Sequence, residues 1–113
     1  KVYGATNKLD FSWVEDVANA FTTVVTSDIK NEVFNCTRGY GRRIIDAAEM
    51  IQSHFGAKIQ LHPHDSFYPN RDTLNSDKLK NMTDWKPKVD IEVGIPKYIK
   101  YFEEIYDSTI LPR

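Results

Sequence analysis

The chain has a single cysteine, which excludes an intrachain disulfide and with it the disulfide-stapled secreted scaffolds. Cys36 sits in the apolar run Val33-Phe34-Asn35-Cys36, so a packed thiol is expected rather than a reactive one. Neither sign of charge dominates: 15 Lys and Arg stand against 16 Asp and Glu, a formal net charge of -1. Without a basic field to hold a phosphate backbone, nucleic acid is not an expected partner. No apolar stretch approaches the roughly 20 residues that cross a bilayer, and no charged-then-apolar leader opens the chain, so no membrane is expected either. A reducing cytoplasm is the expected location. There the sequons Asn35-Cys36-Thr37 and Asn81-Met82-Thr83 would be coincidental.

Glycine is equally sparse. A dinucleotide-binding loop needs three closely spaced glycines between a strand and a helix, so that the backbone can approach a pyrophosphate. The five glycines, at 4, 39, 41, 56 and 94, never reach that spacing. A Tyr-x-x-x-Lys pair is missing too: the residues four after the six tyrosines are Asn7, Ile44, Asp72, Phe102, Ile105 and Ile110. No catalytic residue is therefore assigned, and hydride transfer is not expected from these residues alone. His62 and His64 flank Pro63 without a matched third or fourth ligand, so no metal site is expected.

What is present fits one small core. A chain of 113 residues, 41% hydrophobic, has room for a single modest domain over 1–113 but not for two. It opens on Lys1 rather than Met, in a stretch with no cap or periodic signal, and the expectation is a fragment. Leu9, Phe11 and Trp13 alternate with Asp10 and Ser12, the pattern of a half-buried strand or extended lead-in. Val14, Val17, Ala18, Phe21, Val24 and Val25 recur at helical spacing, with Glu15 and Asp16 in the first turn, which predicts a helix over Val14 to Thr26. Glu32 to Cys36 reads as a short buried strand. It leads through a glycine loop carrying Arg38, Gly39, Gly41, Arg42 and Arg43 into a second helix, whose face is Ile44, Ala47, Ala48, Ile51 and Phe55 and whose end is Gly56.

Lys58 to His62 reads as a further strand stopped by Pro63. His64 to Leu74 has no period and is long for a loop in so small a domain, which marks it as functional or mobile. It holds Tyr68 and Arg71. Asn75 or Ser76 can cap a short helix over Asp77 to Met82, closed by Trp85-Lys86-Pro87. A last helix begins near Asp90 and carries Ile91, Ile95, Ile99, Phe102 and Ile105 on one face; Pro96 interrupts it early, so it either starts at about Ile95 or kinks there. The fold class is α+β, a fragment of an α/β protein, with short strands and about four helices whose apolar faces are too few to close on themselves.

Four ordered pieces carry a resemblance. Leu9-Asp10-Phe11-Ser12-Trp13-Val14-Glu15-Asp16-Val17-Ala18 is similar to an Arg-Asp-Phe-x-x-Val-x-Asp-Val-Ala segment. Glu32-Val33-Phe34-Asn35 with Gly39 and Gly41 behind it resembles the strand and glycine loop that follow. Arg71 with Asp77-Lys78-Leu79-Lys80, then Trp85-Lys86-Pro87 and the helix from Ile91, resemble an Arg, a Ser-Lys-Leu-Lys, a Gly-Trp-Lys-Pro and a closing Leu-Glu-Glu-Gly-Ile run. Together they cover Lys8 to Tyr106 and resemble the carboxy-terminal, substrate-binding portion of the NAD-dependent epimerase/dehydratase family, the extended short-chain dehydrogenase/reductases.

The resemblance implies a two-part enzyme. Its amino-terminal Rossmann domain, on which the present portion would pack, holds NAD or NADP and supplies the Tyr-x-x-x-Lys pair; this portion would bind no cofactor and would grip a nucleotide-sugar substrate. The whole enzyme would oxidise a nucleotide-linked hexose before epimerisation, 4,6-dehydration or a related step. It would form homo-oligomers through helices outside this chain. Among substrate-binding residues, Arg71 matches the arginine that binds the diphosphate, a role suited to a planar bidentate donor. Read from the residues themselves, Tyr68, His62 and His64 flank the loop of Arg71 and could stack on a base or bond a ribose, the alternative being a half-packed loop aromatic and two surface histidines. Arg38, with Arg42 and Arg43, could meet phosphate at a helix start, the alternative being a solvated basic turn. Three positions depart from the family pattern: Leu9 replaces an Arg before Asp-Phe, Arg43 replaces a Ser or Thr helix cap, and Asn75 and Asp77 replace an Asp and a Ser. The competing reading is a free-standing nucleotide- or protein-binding module without catalysis.

Overall fold

The computed structural model describes residues 1–64, 71 and 73–106. Four helices dominate them: α1 (Val14–Val25), α2 (Ile44–Phe55), α3 (Asp77–Met82) and α4 (Ile91–Ile105). Four two-residue strands complete them: β1 (Val2–Tyr3), β2 (Lys8–Leu9), β3 (Arg42–Arg43) and β4 (Leu61–His62). β1 lies parallel to β4 with Val2 opposite Leu61, and β2 lies antiparallel to β3 with Leu9 opposite Arg42. This is the mixed α+β arrangement expected, with the sheet reduced to two short ladders.

Each helix boundary has a local cause. α2 ends on Gly56 at φ 66°, whose N–H donates to the Gln52 carbonyl at 2.8 Å; only glycine takes that left-handed conformation without a Cβ penalty. Its N-cap is Arg43 in place of a capping hydroxyl, and no side chain caps it. The first helical N–H groups are satisfied from outside the helix, Ile44 donating to the Asn7 carbonyl and Ile45 to the Ala5 carbonyl, each at 3.0 Å. Backbone from the β1–β2 connection thus replaces the cap. At α3, the Asn75 Oδ1 atom accepts from the Asp77 N–H at 2.7 Å, an Asx turn that opens the helix. At α4, the Asp90 carboxylate accepts from the Ile91 N–H at 2.8 Å. α4 begins at Ile91 rather than Ile95 and runs through Pro96 to Ile105: Pro96 is the sixth helical residue, so only the bond to the Glu92 carbonyl is forfeited.

Two expected strands are revised. Glu32 to Cys36 forms no ladder, because among the described residues no strand lies beside it; Phe34 and Cys36 are held by packing instead, half-buried against Ala20, Leu79 and Trp85. The expected strand Lys58 to His62 shrinks to Leu61–His62, the length that β1 pairs. The lead-in Leu9 to Trp13 likewise pairs only at its first residue, with Lys8 before it.

The core is small: Ala20 of α1, Leu79 of α3 and Trp85 form its centre, and Ala47, Ile91 and Ile99 are the other buried apolar residues. Asp16, only 5% exposed, ties α1 to the segment before α4. Its Oδ2 atom accepts from the Lys88 and Val89 N–H groups at 2.9 and 3.0 Å, and its carbonyl accepts from the Trp85 indole at 2.8 Å. Much apolar surface stays outside. Val14, Phe21 and Val25 on α1 are 69%, 69% and 80% exposed, and Tyr98, Tyr101 and Ile105 on α4 are exposed as well. The Cα radius of gyration, 17.0 Å, exceeds the roughly 13 Å of a self-contained domain of this length.

Candidate functional site

The glycine loop is built by one carboxylate. Asp10, just past β2, accepts from the Arg38 N–H at 3.0 Å and from the Gly39 N–H at 2.9 Å, and the Ser12 hydroxyl donates to it at 2.9 Å. Gly39 takes φ 96°, which favours glycine. Gly41 lets two segments close in: a Cβ there would lie 2.9 Å from the Lys8 Cβ atom and 3.5 Å from a Thr73 methyl.

Residues 73–75, which follow Arg71 in the chain, are stitched to this loop by side chains. Asn35 Nδ2 donates to the Asn75 carbonyl at 3.2 Å, Thr37 Oγ1 to the Leu74 carbonyl at 2.8 Å, and Thr73 Oγ1 to the Gly39 carbonyl at 3.5 Å. Arg71 is exposed and lies two residues before Thr73 in the chain. Tyr68 lies outside the described residues. His62 stacks on Tyr3 with ring centroids 4.7 Å apart, and the His64 ring lies near Gly4.

Arg38 is placed differently from Arg71. Its Nε–H donates to the Tyr40 hydroxyl at 3.0 Å, the Tyr40 hydroxyl donates to Asp90 Oδ2, and Arg38 Nη2 lies 3.4 Å from the same carboxylate oxygen. Arg42 Nη1 approaches Asp90 Oδ1 at 3.2 Å, and the Arg42 guanidinium also bonds Glu92. The guanidinium of Arg38 therefore faces the first turn of α4. Burial pushes the Asp90 carboxyl up, but the Tyr40 hydroxyl, the Ile91 N–H and the charges of Arg38 and Arg42 outweigh it and hold the group below the usual carboxylate range. The bond to Glu92 is the main reason the Arg42 guanidinium is held more basic than usual. Arg43 pairs with Asp46 one turn on, with Nη2 and Oδ1 at 2.6 Å.

Two hollows lie near the site. A groove of about 700 Å³ runs between α2 and α4, walled by Asp46, Glu49, Glu92, Met50, Pro96 and Ile99. Its Asp46 and Glu92 carboxylates are already neutralised by Arg43 and Arg42. An apolar hollow of about 180 Å³ sits among Phe11, Trp13, Ile91, Gly94 and Tyr98. Among the described residues, no helix is long and apolar enough to cross a membrane.

Sequence reasoning reached Arg71 and the glycine loop and missed Asp10, which builds that loop, Thr37, which ties it to Leu74, and Asp90, which ties it to the start of α4. Asp90 carries a legible signal, an acid one residue before a helical period; Asp10 does not, because the N–H groups it accepts from lie 28 and 29 residues on. Thr37 carries none, because its partner is a backbone carbonyl 37 residues away.

No protein-family model matches the chain. It is 31% identical over 102 residues to the trifunctional UDP-glucose 4,6-dehydratase/UDP-4-keto-6-deoxy-D-glucose 3,5-epimerase/UDP-4-keto-L-rhamnose-reductase of Arabidopsis thaliana, covering 87% of this chain and 15% of that protein. It is 30% identical over 104 residues to UDP-glucuronic acid decarboxylase 1 of Danio rerio, covering 89% of this chain and 25% of the relative. The chain thus spans a quarter or less of the length of these two curated relatives. Its fold matches the UDP-glucuronic acid 4-epimerase of Bacillus cereus, solved in complex with UDP-glucuronic acid and NAD, with a TM-score of 0.79 at 19% identity, over 93% of this chain and 35% of that one. The four ordered motifs, the identity to two UDP-sugar enzymes and the shared fold agree: the chain belongs to the NAD-dependent epimerase/dehydratase family and spans part of its members' length.

Proposed function

We propose that residues 1–113 form the nucleotide-sugar-binding part of a longer nucleotide-sugar epimerase or dehydratase that acts through NAD(P)-dependent oxidation of a hexose. The observation that carries this reading is the 31% and 30% identity to two enzymes named for UDP-sugar chemistry, each matched over most of this chain. NAD or NADP is then bound by a Rossmann domain elsewhere in the full-length protein, as in the neighbours solved with NADPH or NAD. The exposed apolar faces of α1 and α4 supply surface for that domain to cover. A homo-oligomer is part of the proposal through the same absent portion.

Arg71 makes the diphosphate contact in this reading. It is exposed, the residues that follow it, 73–75, are bonded to the glycine loop, and its fork of donors matches a phosphate. Tyr68 lies three residues before it and is proposed to meet the base or ribose. Arg38 contributes by holding the loop against α4, where its guanidinium already lies against Asp90. The test is titration of the full-length gene product with UDP-, dTDP- and GDP-sugars before and after Arg71→Ala. A loss of about tenfold or more is expected for removal of a charge-assisted phosphate contact. Unchanged affinity in the variant refutes the assignment of Arg71.

A further inference from the structure

Thr37 belongs to neither the phosphate-contacting set nor the core, yet it makes the shortest of the three side-chain bonds that fasten the Arg71 segment to the glycine loop. Its hydroxyl donates to the Leu74 carbonyl at 2.8 Å, against 3.2 Å for Asn35 and 3.5 Å for Thr73. The 2.8 Å bond lies in the normal range for O–H···O; 3.5 Å is at the outer limit. Thr37 itself is fixed from the other side, because the next two backbone N–H groups, of Arg38 and Gly39, both donate to Asp10. Asp10 in turn follows β2, which pairs with β3 at the end of the same loop. A continuous path therefore runs from β2 through Asp10 and Thr37 to Leu74, three residues from Arg71.

We propose that Thr37 is a positioning residue for the diphosphate contact: its hydroxyl fixes the distance of the Arg71 segment from the glycine loop, and so the place where the guanidinium meets a nucleoside diphosphate. The proposal rests on the reading of Arg71 given above. Losing the hydroxyl leaves the fold's core untouched, since Ala20, Leu79 and Trp85 do not depend on this bond. It frees residues 73–75 at their central tether. A guanidinium offering two parallel N–H bonds is sensitive to such a shift in a way that a point charge is not.

The experiment uses the full-length gene product and UDP and dTDP as probes, with Thr37→Val, which keeps the shape and removes the hydroxyl, and Thr37→Ser, which keeps the hydroxyl. Thr37→Val is expected to weaken binding about fivefold to tenfold, as a displaced contact group does, while Thr37→Ser stays within about twofold. The decisive measurement is the double variant. Acting through Arg71, Thr37→Val adds nothing to Arg71→Ala, whereas a general structural effect adds in full. Equal affinity of Thr37→Val and the parent, or a full additional loss in the Arg71→Ala background, overturns the proposal alone. Unchanged affinity on Arg71→Ala overturns the reading of Arg71 and this proposal with it.

Discussion

Replacing Asp16 by alanine should be among the most damaging polar substitutions in the chain, and its cost can be worked from the bonds it makes. Its carboxylate accepts from two backbone N–H groups, Lys88 at 2.9 Å and Val89 at 3.0 Å, from a position only 5% exposed. Hydrogen bonds to a charged group contribute about 1.5–3 kcal/mol each. Both N–H groups are part-buried rather than sealed, so the lower figure applies and the pair is worth about 3 kcal/mol. At about 2.1 cal/mol/K of unfolding entropy per residue, this corresponds to a fall in Tm of roughly 13 °C. Asp16→Asn, which keeps an acceptor oxygen and loses the charge, should cost about half as much. Urea denaturation followed by circular dichroism measures the loss, and amide hydrogen exchange at Lys88 and Val89 reports the same bonds directly. Glu15→Ala is the control, since that side chain is exposed and bonded only to the Trp13 indole at 3.2 Å. If Asp16→Ala falls within about 0.5 kcal/mol of the control and protection at Lys88 and Val89 persists, the account of how α1 is tied to the segment before α4 is wrong.

Two further perturbations test the helix ends. Asp90 titrates below its unfolded value of about 3.9, so it stabilises the fold fully above about pH 4, and that contribution is lost as pH falls through the lowered folded value. Chemical denaturation should therefore show Asp90→Asn weaker than the parent at pH 7 and the gap narrowing as pH falls below the unfolded carboxylate value; a constant gap at all pH values refutes the ion-pair account. Gly56→Ala should cost about 1 kcal/mol, all of it from the backbone, since φ is 66° and nothing lies within 4 Å of the added Cβ. A Gly56→Asn variant, which tolerates the left-handed region better, should recover part of the loss in the same melts, and equal losses for Ala and Asn contradict the backbone explanation.

The parts of the fold legible in the sequence are those decided within a few residues. Gly56 ends α2 where a left-handed cap was expected, Asp77 to Met82 forms the short helix, and α1 begins at Val14. Each depends on a cap, a turn residue or a helical period that acts locally. What was misread depends on distant partners. The α2 start was unexplained from Arg43 alone because its first N–H groups are satisfied by Ala5 and Asn7, more than 30 residues earlier. The strand expected at Glu32 to Cys36 has the residues for a ladder and, among the described residues, no neighbour to form one.

α1 shows most clearly why periodicity under-determines packing. Its apolar positions Val14, Val17, Ala18, Phe21, Val24 and Val25 recur at helical spacing, and the structure divides them between two faces. Ala20 and Asp16 are buried, and Val17 and Val24 half-buried, toward Leu79 and Trp85, whereas Val14, Ala18, Phe21 and Val25 form a separate exposed stripe at spacings of four, three and four residues. A helix with a buried face and an apolar face still in solvent has sequence for two interfaces and satisfies one. The hydrophobic period reports that a surface requires cover without reporting which element covers it. The same holds at the site, where Arg71 was recognisable by its residue type and its loop. The tether that places it, a threonine hydroxyl on a carbonyl 37 residues away, follows only from the way β2, the glycine loop and the segment before α3 fold against one another.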